Sequence, residues 1–408
     1  MDKKHILYIT YDGLTDFLGQ SQVLPYILGL EEKGYRFSIL SYEKEQKYPS
    51  DKKVIEDLLK GKDITWYPKK YHKRFSILAT VWDIITGVLF LHTLRSKDRF
   101  DAVHCRSYIS AIMGLYSKKI FDTRFIFDMR GFWADERVDG GIWNLKNPVF
   151  HLVYKTFKWI EEKCLLNADY TITLTSKSYQ ELHTWKYISE AIKIKVIPCC
   201  VDLTLFSPEK ISIEKNIETI HALSLENKTV ISYLGSIGTW YLIDQMFEFF
   251  KIFQKSVPNA VFLFITPELP ADILKIAARY AIPSLDIRVV KASRKEVPGY
   301  LAVSHYSLFF IKPSYSKISS SPTKLAEIMA MGVPVICNNG VGDVEQQVTE
   351  ASAGIVISDF TDAAYRAVTA LISKGAYYHK ESSLNYVRHV FSLEHGVSLY
   401  HEVYKQIL

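Results

Sequence analysis

Cysteine is scarce in this chain. Its 408 residues include five cysteines, namely Cys105, Cys164, Cys199, Cys200 and Cys337. No pair of them has the spacing of metal ligands, and an odd number fits reduced thiols better than a disulfide framework. Clusters of histidine, cysteine and carboxylate residues at metal-ligand spacing are also absent from the sequence. We therefore expect no metal site and a cytoplasmic location.

Low-complexity segments and fixed-period repeats are missing as well. The formal net charge is +6, which by itself does not indicate nucleic acid as a partner. The apolar stretch near the amino terminus is too short for a signal peptide, so we expect no secretion signal. Neither half of the chain carries a Gly-x-Gly-x-x-Gly fingerprint, which disfavours an NAD-linked oxidoreductase.

One hydrophobic run is almost long enough to cross a membrane. It covers residues 75–94 and follows the basic residues Lys69, Lys70, His72, Lys73 and Arg74. The run would nearly span a bilayer, but Asp83, His92 and several hydroxyl side chains lower its hydrophobicity. We expect a helix in the core or on a domain surface, and a face that rests on a membrane or a true span stay open as alternatives.

Hydrophobic residues make up 48% of the chain, and they occur in short runs that alternate with helix-like segments. The predicted strands cover 5–10, 36–41, 102–105, 124–129, 170–175 and 195–200, then 229–235, 260–266, 287–292, 306–312, 333–337 and 353–358. A chain this long exceeds what one core organises. We predict two doubly wound, Rossmann-like α/β domains over 1–200 and 201–391, with the boundary near 196–210.

An amphipathic helix over 392–408 could pack on either domain, and we favour the first. In open α/β sheets ligands bind beyond the carboxyl ends of the strands. Two such domains facing each other would form a cleft, so the loops after the strands are the expected location of a functional site.

The segment 321–343 combines a short predicted helix with an unusually placed charge. Ser321 is a good N-cap, Pro322 suits the first helical position and Gly332 suits a left-handed stop. Lys324 then lies in the first turn, where a cation is unfavourable unless an anion binds there. Glu327 lies on the same face and could accept hydrogen bonds from a ribose. A surface pair of Lys324 and Glu327 is the alternative.

Five segments of the sequence carry a resemblance to a known family, namely "GQSQVLPYILGLEEKGYRFSIL" (19–40), "VIPCCVDLTLF" (196–206), "YLGSIGTWY" (233–241), "SPTKLAEIMAMGVPVI" (321–336) and "FSLEHGVSLYHEVY" (391–404). In these segments the chain resembles the family 4 glycosyltransferases, which are retaining enzymes of the two-domain GT-B fold. The resemblance implies metal-independent transfer of a hexose from a nucleotide-diphosphate sugar, with no cofactor besides that donor.

Carried over by position, the resemblance implies a donor site. Glu327 matches the family glutamate expected on the nucleotide ribose. Lys324 would neutralise the charge of the diphosphate, and the alternatives for that role are Lys312, Lys317 and Arg294. Ser319 replaces the other donor-site glutamate, and Trp240 and Tyr241 stand where the family has a basic pair. The implied donor-binding residues are Gly13, Gly19, Gly235, Ser236, Arg294, Ser319, Ser320, Ser321, Thr323, Lys324 and Glu327.

The segment "FDMRGFWADERVDGG" (127–141) follows a predicted strand and mixes ionisable groups with apolar platforms suited to a sugar. The resemblance implies an acidic residue or a histidine beside the anomeric centre, and we predict Asp128 for it, with Arg130 as an orienter or acceptor-phosphate contact. Catalytic roles are thus predicted for Asp128, Arg130, Lys324 and Glu327, and acceptor contacts for His104, Arg106, Trp133, Asp135 and Glu136. Salt bridges that hold a loop are the alternative.

The sequence therefore predicts a retaining glycosyltransferase of cell-surface glycan biosynthesis. Its partners would be a nucleotide-sugar donor, a lipid-linked or polysaccharide acceptor and a membrane surface, so it would work in the cytoplasm or peripherally on the inner face of the membrane. A GT-B-fold sugar-nucleotide epimerase is one alternative. A nucleotide-sugar-binding pseudoenzyme is another, suggested by Ser319 and the missing basic pair.

Overall fold

The structure is a computed structural model that describes residues 3–46, 48–73, 76–189, 191–375 and 377–408. Two residues of the predicted basic and hydrophobic runs, Arg74 and Phe75, lie outside the described residues. The chain forms two compact units. Unit 1 comprises the residues up to Pro198 together with Leu393–Leu408, and unit 2 comprises Cys199–Ser392.

Unit 1 is built on a parallel sheet with the strand order β3-β2-β1-β4-β5-β6-β7. The strands are β1 (Lys4–Thr10), β2 (Tyr35–Glu43), β3 (Ile64–Lys70), β4 (Ala102–Arg106), β5 (Arg124–Asp128), β6 (Tyr170–Thr173) and β7 (Ile194–Val196). The helices are α1 (Phe17–Gln22), α2 (Leu24–Glu32), α3 (Tyr48–Leu59), α4 (Ser76–Lys97), α5 (Ser107–Phe121), α6 (Trp133–Asp139), α7 (Pro148–Asn167) and α8 (Ser176–Thr184).

Strand β3 was not among the predicted strands. It lies at the edge of the sheet, contains Pro68 and ends in Lys69 and Lys70, and most of its residues are half-buried. Proline and lysine are typical of edge strands because they discourage pairing with another chain. The sequence pattern therefore lacks the apolar run that identifies the central strands.

Unit 2 contains a second parallel sheet with the order β10-β9-β8-β11-β12-β13. The strands are β8 (Thr229–Leu234), β9 (Ala260–Ile265), β10 (Ile287–Val290), β11 (Tyr306–Phe309), β12 (Val335–Asn338) and β13 (Gly354–Ile357). The helices are α9 (Ile213–Leu223), α10 (Ile243–Ser256), α11 (Pro270–Arg279), α12 (Val297–Ala302), α13 (Thr323–Ala330), α14 (Val344–Glu350), α15 (Asp362–Lys374) and α16 (Lys380–Tyr386). The predicted strands of this half all form, within three residues of the expected ends.

The last helix, α17 (Leu393–Ile407), packs on α2 within unit 1. The ring centroids of Tyr26 and Tyr400 are 5.4 Å apart. A Cβ atom on Gly29 would stand 2.7 Å from a methyl group of Val397, so glycine permits the close approach of the two helices. The chain thus returns to its first unit at its end.

Each sheet reverses its winding direction at one point, and this locates the expected sites. In unit 1 the reversal lies between β1 and β4, and in unit 2 it lies between β8 and β11. Crevices for ligands open beyond the carboxyl ends of the strands at such points. The loops that follow β1, β4, β8 and β11 are therefore the expected positions of ligand sites.

Candidate functional site

Helix α13 starts one residue later than predicted. It spans Thr323–Ala330 and is preceded by Pro322, without a hydrogen bond from a capping side chain. The hydroxyl of Ser321 instead accepts a hydrogen bond from the backbone amide of Cys199 at 3.1 Å. The N-cap predicted for Ser321 is therefore wrong, because this oxygen serves another backbone group. Gly332 has φ +67°, in agreement with the predicted left-handed stop.

Lys324 lies in the first turn of α13, and its ammonium group is enclosed by aromatic rings. Nζ lies 3.8 Å from the ring centroid of Tyr241 and 4.4 Å from that of Tyr233. The side chain is buried, and burial lowers its pKa to about 7 although Glu327 acts in the opposite direction. A Cβ atom on Gly235, whose φ is +116°, would stand 3.0 Å from Nζ. The glycine thus leaves room for the lysine at the carboxyl end of β8.

Glu327, one turn further along α13, forms a buried ion pair with Arg294. The Arg294 Nη1 atom lies 2.7 Å from Glu327 Oε1, and its guanidinium lies 5.2 Å from the ring centroid of Phe206. Burial raises the pKa of Glu327, whereas Arg294 and Lys324 act to lower it. Arg294 is contributed by the loop after β10, so the structure brings these two predicted donor residues into contact.

A second lysine also stacks on an aromatic ring in unit 2. Lys317 Nζ lies 3.8 Å from the ring centroid of Trp240, next to the ring of Tyr241 that carries Lys324. Trp240 and Tyr241 occupy the positions where the resemblance implied a basic pair. Each of these two rings therefore contacts the ammonium group of a lysine from the segment around α13.

The hydroxyl and backbone groups predicted for the donor site have internal partners. Ser319 donates a hydrogen bond to the Ser316 carbonyl at 2.7 Å, and the Ser236 carbonyl accepts one from Tyr233 at 2.7 Å. Ser320 and Thr323 are half-buried. Position 319 thus carries a buried serine, where the resemblance implied a carboxylate.

Gly13 and Gly19 belong to unit 1, where they allow a tight loop after β1. A Cβ atom on Gly19 would overlap the Gly13 carbonyl oxygen. The buried carboxylate of Glu43 accepts hydrogen bonds from the backbone amides of Leu14 at 2.8 Å and Thr15 at 3.1 Å. Glu43 thus holds this loop, and nothing in the local sequence pattern had indicated it.

Asp128, at the end of β5, is completely buried. Its Oδ2 atom accepts a hydrogen bond from Tyr400 of α17 at 3.0 Å and lies 3.6 Å from His104 Nε2. Burial acts to raise the pKa of Asp128, but Arg130, His104 and Arg106 outweigh it and hold the pKa below its ordinary value. The carboxylate is therefore ionised and covered by the last helix, and its predicted catalytic role stays a prediction.

His104 is buried beside this carboxylate. Burial lowers the pKa of its imidazole, with Asp128 opposing, and Nδ1 lies 2.7 Å from the hydroxyl of Tyr404. The sequence singled out His104 and Asp128 but missed Tyr400 and Tyr404. The partner of α17 could not be predicted, because the spacing of apolar residues in a helix does not specify which surface it contacts.

Two arginines lie at the carboxyl ends of the neighbouring strands β4 and β5. Arg106 Nε donates a hydrogen bond to Asp12 at 3.2 Å, while its buried Nη1 atom has no hydrogen-bond partner among the described residues. Arg130 Nη1 lies 3.9 Å from Asp128 Oδ1. Ser107 and Arg130 have φ values of +66° and +57°, a left-handed conformation that costs about 1–3 kcal/mol for non-glycine residues and is common at functional sites.

The remaining predicted acceptor residues contact other parts of unit 1. Asp135 accepts hydrogen bonds from Tyr154 at 2.8 Å and Lys158 at 3.0 Å, both on α7. Trp133 packs on the ring of Phe157, with centroids 4.8 Å apart. Glu136 is half-buried in the first turn of α6. For Asp135 and Trp133 the observed contacts fit the alternative in which this loop is tied to α7.

No group of three or more histidine, cysteine, aspartate or glutamate side chains that could hold a metal ion occurs within the described residues.

Two family models match the chain in succession. The model described as Glycosyltransferase Family 4 matches residues 23–205, and the model described as Glycosyl transferases group 1 matches residues 216–384. The chain is a glycosyltransferase similar to family 4. Its two units correspond to these two matches, and no curated protein matches it.

Solved structures show that the glycosyltransferase has the GT-B fold. A sucrose-phosphate synthase from Thermosynechococcus elongatus is similar with a TM-score of 0.75 at 15% identity, over 99% of both chains. A glycosyltransferase from Rickettsia africae gives 0.71 at 16% identity, over 100% of this chain and 99% of that chain. HepE from Anabaena, solved in complex with UDP and glucose, gives 0.69 at 12% identity, over 98% of this chain and 99% of that chain.

Proposed function

We propose that this glycosyltransferase is a retaining family 4 enzyme that transfers a hexose from a nucleotide-diphosphate sugar. The observation that carries the proposal is Lys324 at the start of α13, beside Gly235 and above the β8/β11 reversal of the sheet. A helix start with a lysine in its first turn binds phosphate through free amides and a positive charge. The UDP bound in HepE makes UDP-sugars the first donors to test.

The proposed mechanism assigns charge stabilisation to Lys324 and Lys317. The leaving diphosphate gains negative charge in the transition state, so cations fixed beside it stabilise that state preferentially. These lysines and the helix start would provide positive charge without a metal ion. Glu327 would exchange its contact with Arg294 for the hydroxyls of the nucleotide ribose. Retention implies transfer on one face of the sugar, with the leaving phosphate taking the proton of the acceptor.

The acceptor would bind to unit 1, near the carboxyl ends of β4 and β5. Arg106, with its buried Nη1 atom, and Arg130 would suit an acceptor that carries a phosphate. We propose a lipid-linked or polysaccharide intermediate of cell-surface glycan biosynthesis. The enzyme would then work in the cytoplasm and bind peripherally to the inner face of the membrane.

A thermal-shift screen of UDP, GDP, ADP, TDP and CMP with their common sugars tests the donor site. A ligand of the native state raises the melting temperature by mass action. We expect one nucleoside diphosphate to stabilise the wild type and Glu345→Ala, an exposed control in the same unit, and Glu327→Ala to lose that shift. Equal shifts in Glu327→Ala and wild type would remove Glu327 from the donor site.

Product analysis of the donor identified in this way tests the chemistry. We expect a product of retained anomeric configuration, formed at the same rate with and without a metal chelator. Conversion of the nucleotide sugar in the absence of any acceptor would favour the epimerase. The Ser319 hydroxyl donates its hydrogen bond to the Ser316 carbonyl, which favours a second candidate function, a pseudoenzyme that binds the nucleotide sugar. Binding without turnover of any donor would identify such a pseudoenzyme.

A further inference from the structure

Three helices form one outer layer of unit 1. Helix α4 packs against α5, and α5 packs against α7. Because crossovers between parallel strands are right-handed, the connections that lead from β3 through β4 and β5 to β6 lie on one face of the sheet. Helices α2 and α3 lie on the other face, together with α17, which contacts α2.

The layer of α4, α5 and α7 exposes many large apolar side chains. On α4 they are between 41% and 72% exposed and on α7 between 44% and 66%. They are Ile77, Leu78, Val81, Trp82, Ile85 and Leu89 on α4, Ile120 on α5, and Val149, Leu152, Trp159 and Leu166 on α7. Exposed apolar side chains that are grouped on neighbouring helices, unlike ones scattered singly, mark protein or membrane interaction sites.

Helix α4 is long and apolar enough to cross a membrane by length and composition alone, yet one of its faces is held by unit 1. The buried carboxylate of Asp83 accepts a hydrogen bond from Tyr11 at 2.7 Å. Gly87 sits against Met113 of α5, where a Cβ atom would overlap the sulfur. A helix anchored in this way along one face lies on the unit and presents its opposite face to the surroundings.

Helix α7 has the same two-faced construction. Its buried face includes Glu161, Cys164 and Leu165, and Glu161 forms an ion pair with Lys158 and accepts a hydrogen bond from the Tyr108 hydroxyl. On the exposed face Leu152, Trp159 and Leu166 recur every seven residues, which places them in one stripe along the helix. This stripe was not singled out from the sequence, because the run is too polar to suggest a membrane segment.

The two layers of unit 1 differ in charge. The layer of α4, α5 and α7 has three acidic residues, of which Asp83 and Glu161 are fully buried. Its basic residues are Arg95, Lys97, Lys118, Lys119, Lys155, Lys158 and Lys163. On α2, α3 and α17 the acidic residues predominate: Glu31, Glu32, Asp51, Glu56, Asp57, Glu394 and Glu402, against Lys52, Lys53 and Lys405. Among these six helices, the three that expose the apolar side chains are therefore also the basic ones.

We propose that the outer face of α4, α5 and α7 docks flat on an anionic lipid bilayer, with Trp82 and Trp159 in the headgroup region. Tryptophan favours the membrane interface, and apolar stripes with flanking lysines bind anionic lipid surfaces. The exposed Lys70 and Lys73, which precede α4, extend the basic rim. This inference rests on the membrane localisation put forward with the proposed function, and it is independent of the sugar chemistry.

Vesicle flotation of the full chain tests the proposal. The probes are vesicles of equal parts phosphatidylcholine and phosphatidylglycerol, and vesicles of phosphatidylcholine alone. The variants are Trp82→Glu on α4, Trp159→Glu on α7 and Leu285→Glu, an exposed apolar control in unit 2. We expect wild type and control to bind the anionic vesicles and each tryptophan variant to lose about tenfold in bound fraction. Neutral vesicles should bind less protein, and added salt should weaken binding to the anionic ones.

Two results would overturn the proposal. If Trp159→Glu bound vesicles as well as the wild type, α7 would have no part in docking. If wild type bound no vesicles and light scattering showed a dimer that both tryptophan variants lose, the face would be covered by a second copy of the chain. The nucleoside-diphosphate thermal shift, measured on every variant, separates the two proposals: vesicle binding with no nucleotide shift would refute the donor site and leave docking intact.

Discussion

At the scale of single residues, the charge state of Lys324 connects structure to donor binding. An ammonium group packed between the rings of Tyr241 and Tyr233 has little access to water, which lowers its pKa to about 7. Part of the free protein therefore holds this lysine uncharged near neutral pH. A diphosphate bound beside it would restore the charged form, because an opposite charge raises the pKa of a lysine.

Donor binding should consequently take up a proton above pH 7. We expect the affinity for the nucleoside diphosphate to fall by up to about tenfold per pH unit as the pH rises from about 7 to about 9. Isothermal titration calorimetry in two buffers of different ionisation enthalpy measures both the affinity and the proton uptake. Lys324→Met should lose the pH dependence, whereas Lys312→Met, at an exposed position, should keep it. A flat wild-type profile would contradict the inferred charge state.

The ion pair of Arg294 and Glu327 makes a prediction about stability. Removing one partner from a buried pair leaves an uncompensated charge, so Arg294→Met should lower the free energy of unfolding by about 3–5 kcal/mol. The double variant Arg294→Met/Glu327→Leu should recover most of this loss, since no buried charge remains. Urea unfolding measures both.

The exposed pair of Lys215 and Glu218 is the control in the same unit. Lys215→Met should change the free energy of unfolding by less than about 1 kcal/mol. If the double variant were as unstable as Arg294→Met, the loss would come from packing of the arginine on Phe206 and not from the unpaired carboxylate.

The sequence indicated several residues of the proposed donor site but not how they pair. Lys324 and Glu327 could be placed because helical spacing and the family resemblance act over a few residues. The contact between Arg294 and Glu327 joins the loop after β10 to helix α13, and the rings around Lys324 come from β8 and the loop after it. Such contacts depend on the assembled sheet, and no local pattern encodes them.

At the scale of secondary-structure elements, α17 supplies hydrogen-bond partners for the buried Asp128 and His104 of unit 1. Tyr400 donates to the buried Asp128, so Tyr400→Phe should lower the free energy of unfolding by about 1.5–3 kcal/mol at neutral pH. The pKa of Asp128 is lowered in the folded state. Its contribution to stability is therefore present above the pKa of the unfolded carboxyl and disappears as the pH falls through the folded value.

Urea unfolding of Tyr400→Phe at neutral pH and in acid checks this prediction. The difference from wild type should shrink in acid, where the carboxyl of Asp128 is protonated. Tyr179→Phe, at a more exposed tyrosine on α8, is the matched control and should leave stability nearly unchanged. A difference that is constant across the pH range would indicate lost packing in place of a hydrogen bond to a charged group.

The elements themselves were largely predictable, and the exceptions share a cause. Buried central strands carry continuous apolar runs, so the doubly wound α/β class followed from the sequence. Strand β3 lacks such a run because it lies at an edge. The starting residue of α13 was misjudged because the hydroxyl of Ser321 serves Cys199, a contact that local capping rules do not consider.

At the scale of the whole molecule, unit 1 is discontinuous along the chain and unit 2 is not. Truncation after Ser392 would remove α17 and leave Asp128 and His104 without the hydroxyls of Tyr400 and Tyr404. We expect limited proteolysis of the truncated protein to degrade unit 1 and to leave a resistant fragment close to Cys199–Ser392. Equal resistance of both units would show that α17 is dispensable for unit 1.

This connectivity also bears on synthesis. The amino terminus of a chain emerges from the ribosome first, and domains fold as units once all of their residues have emerged. Unit 2 has all of its residues when Ser392 emerges, whereas unit 1 must wait for the last helix although it was begun first. The second half of the glycosyltransferase can therefore be complete before the first, and during that interval the core of unit 1, with its buried carboxylate, is open to chaperones and proteases.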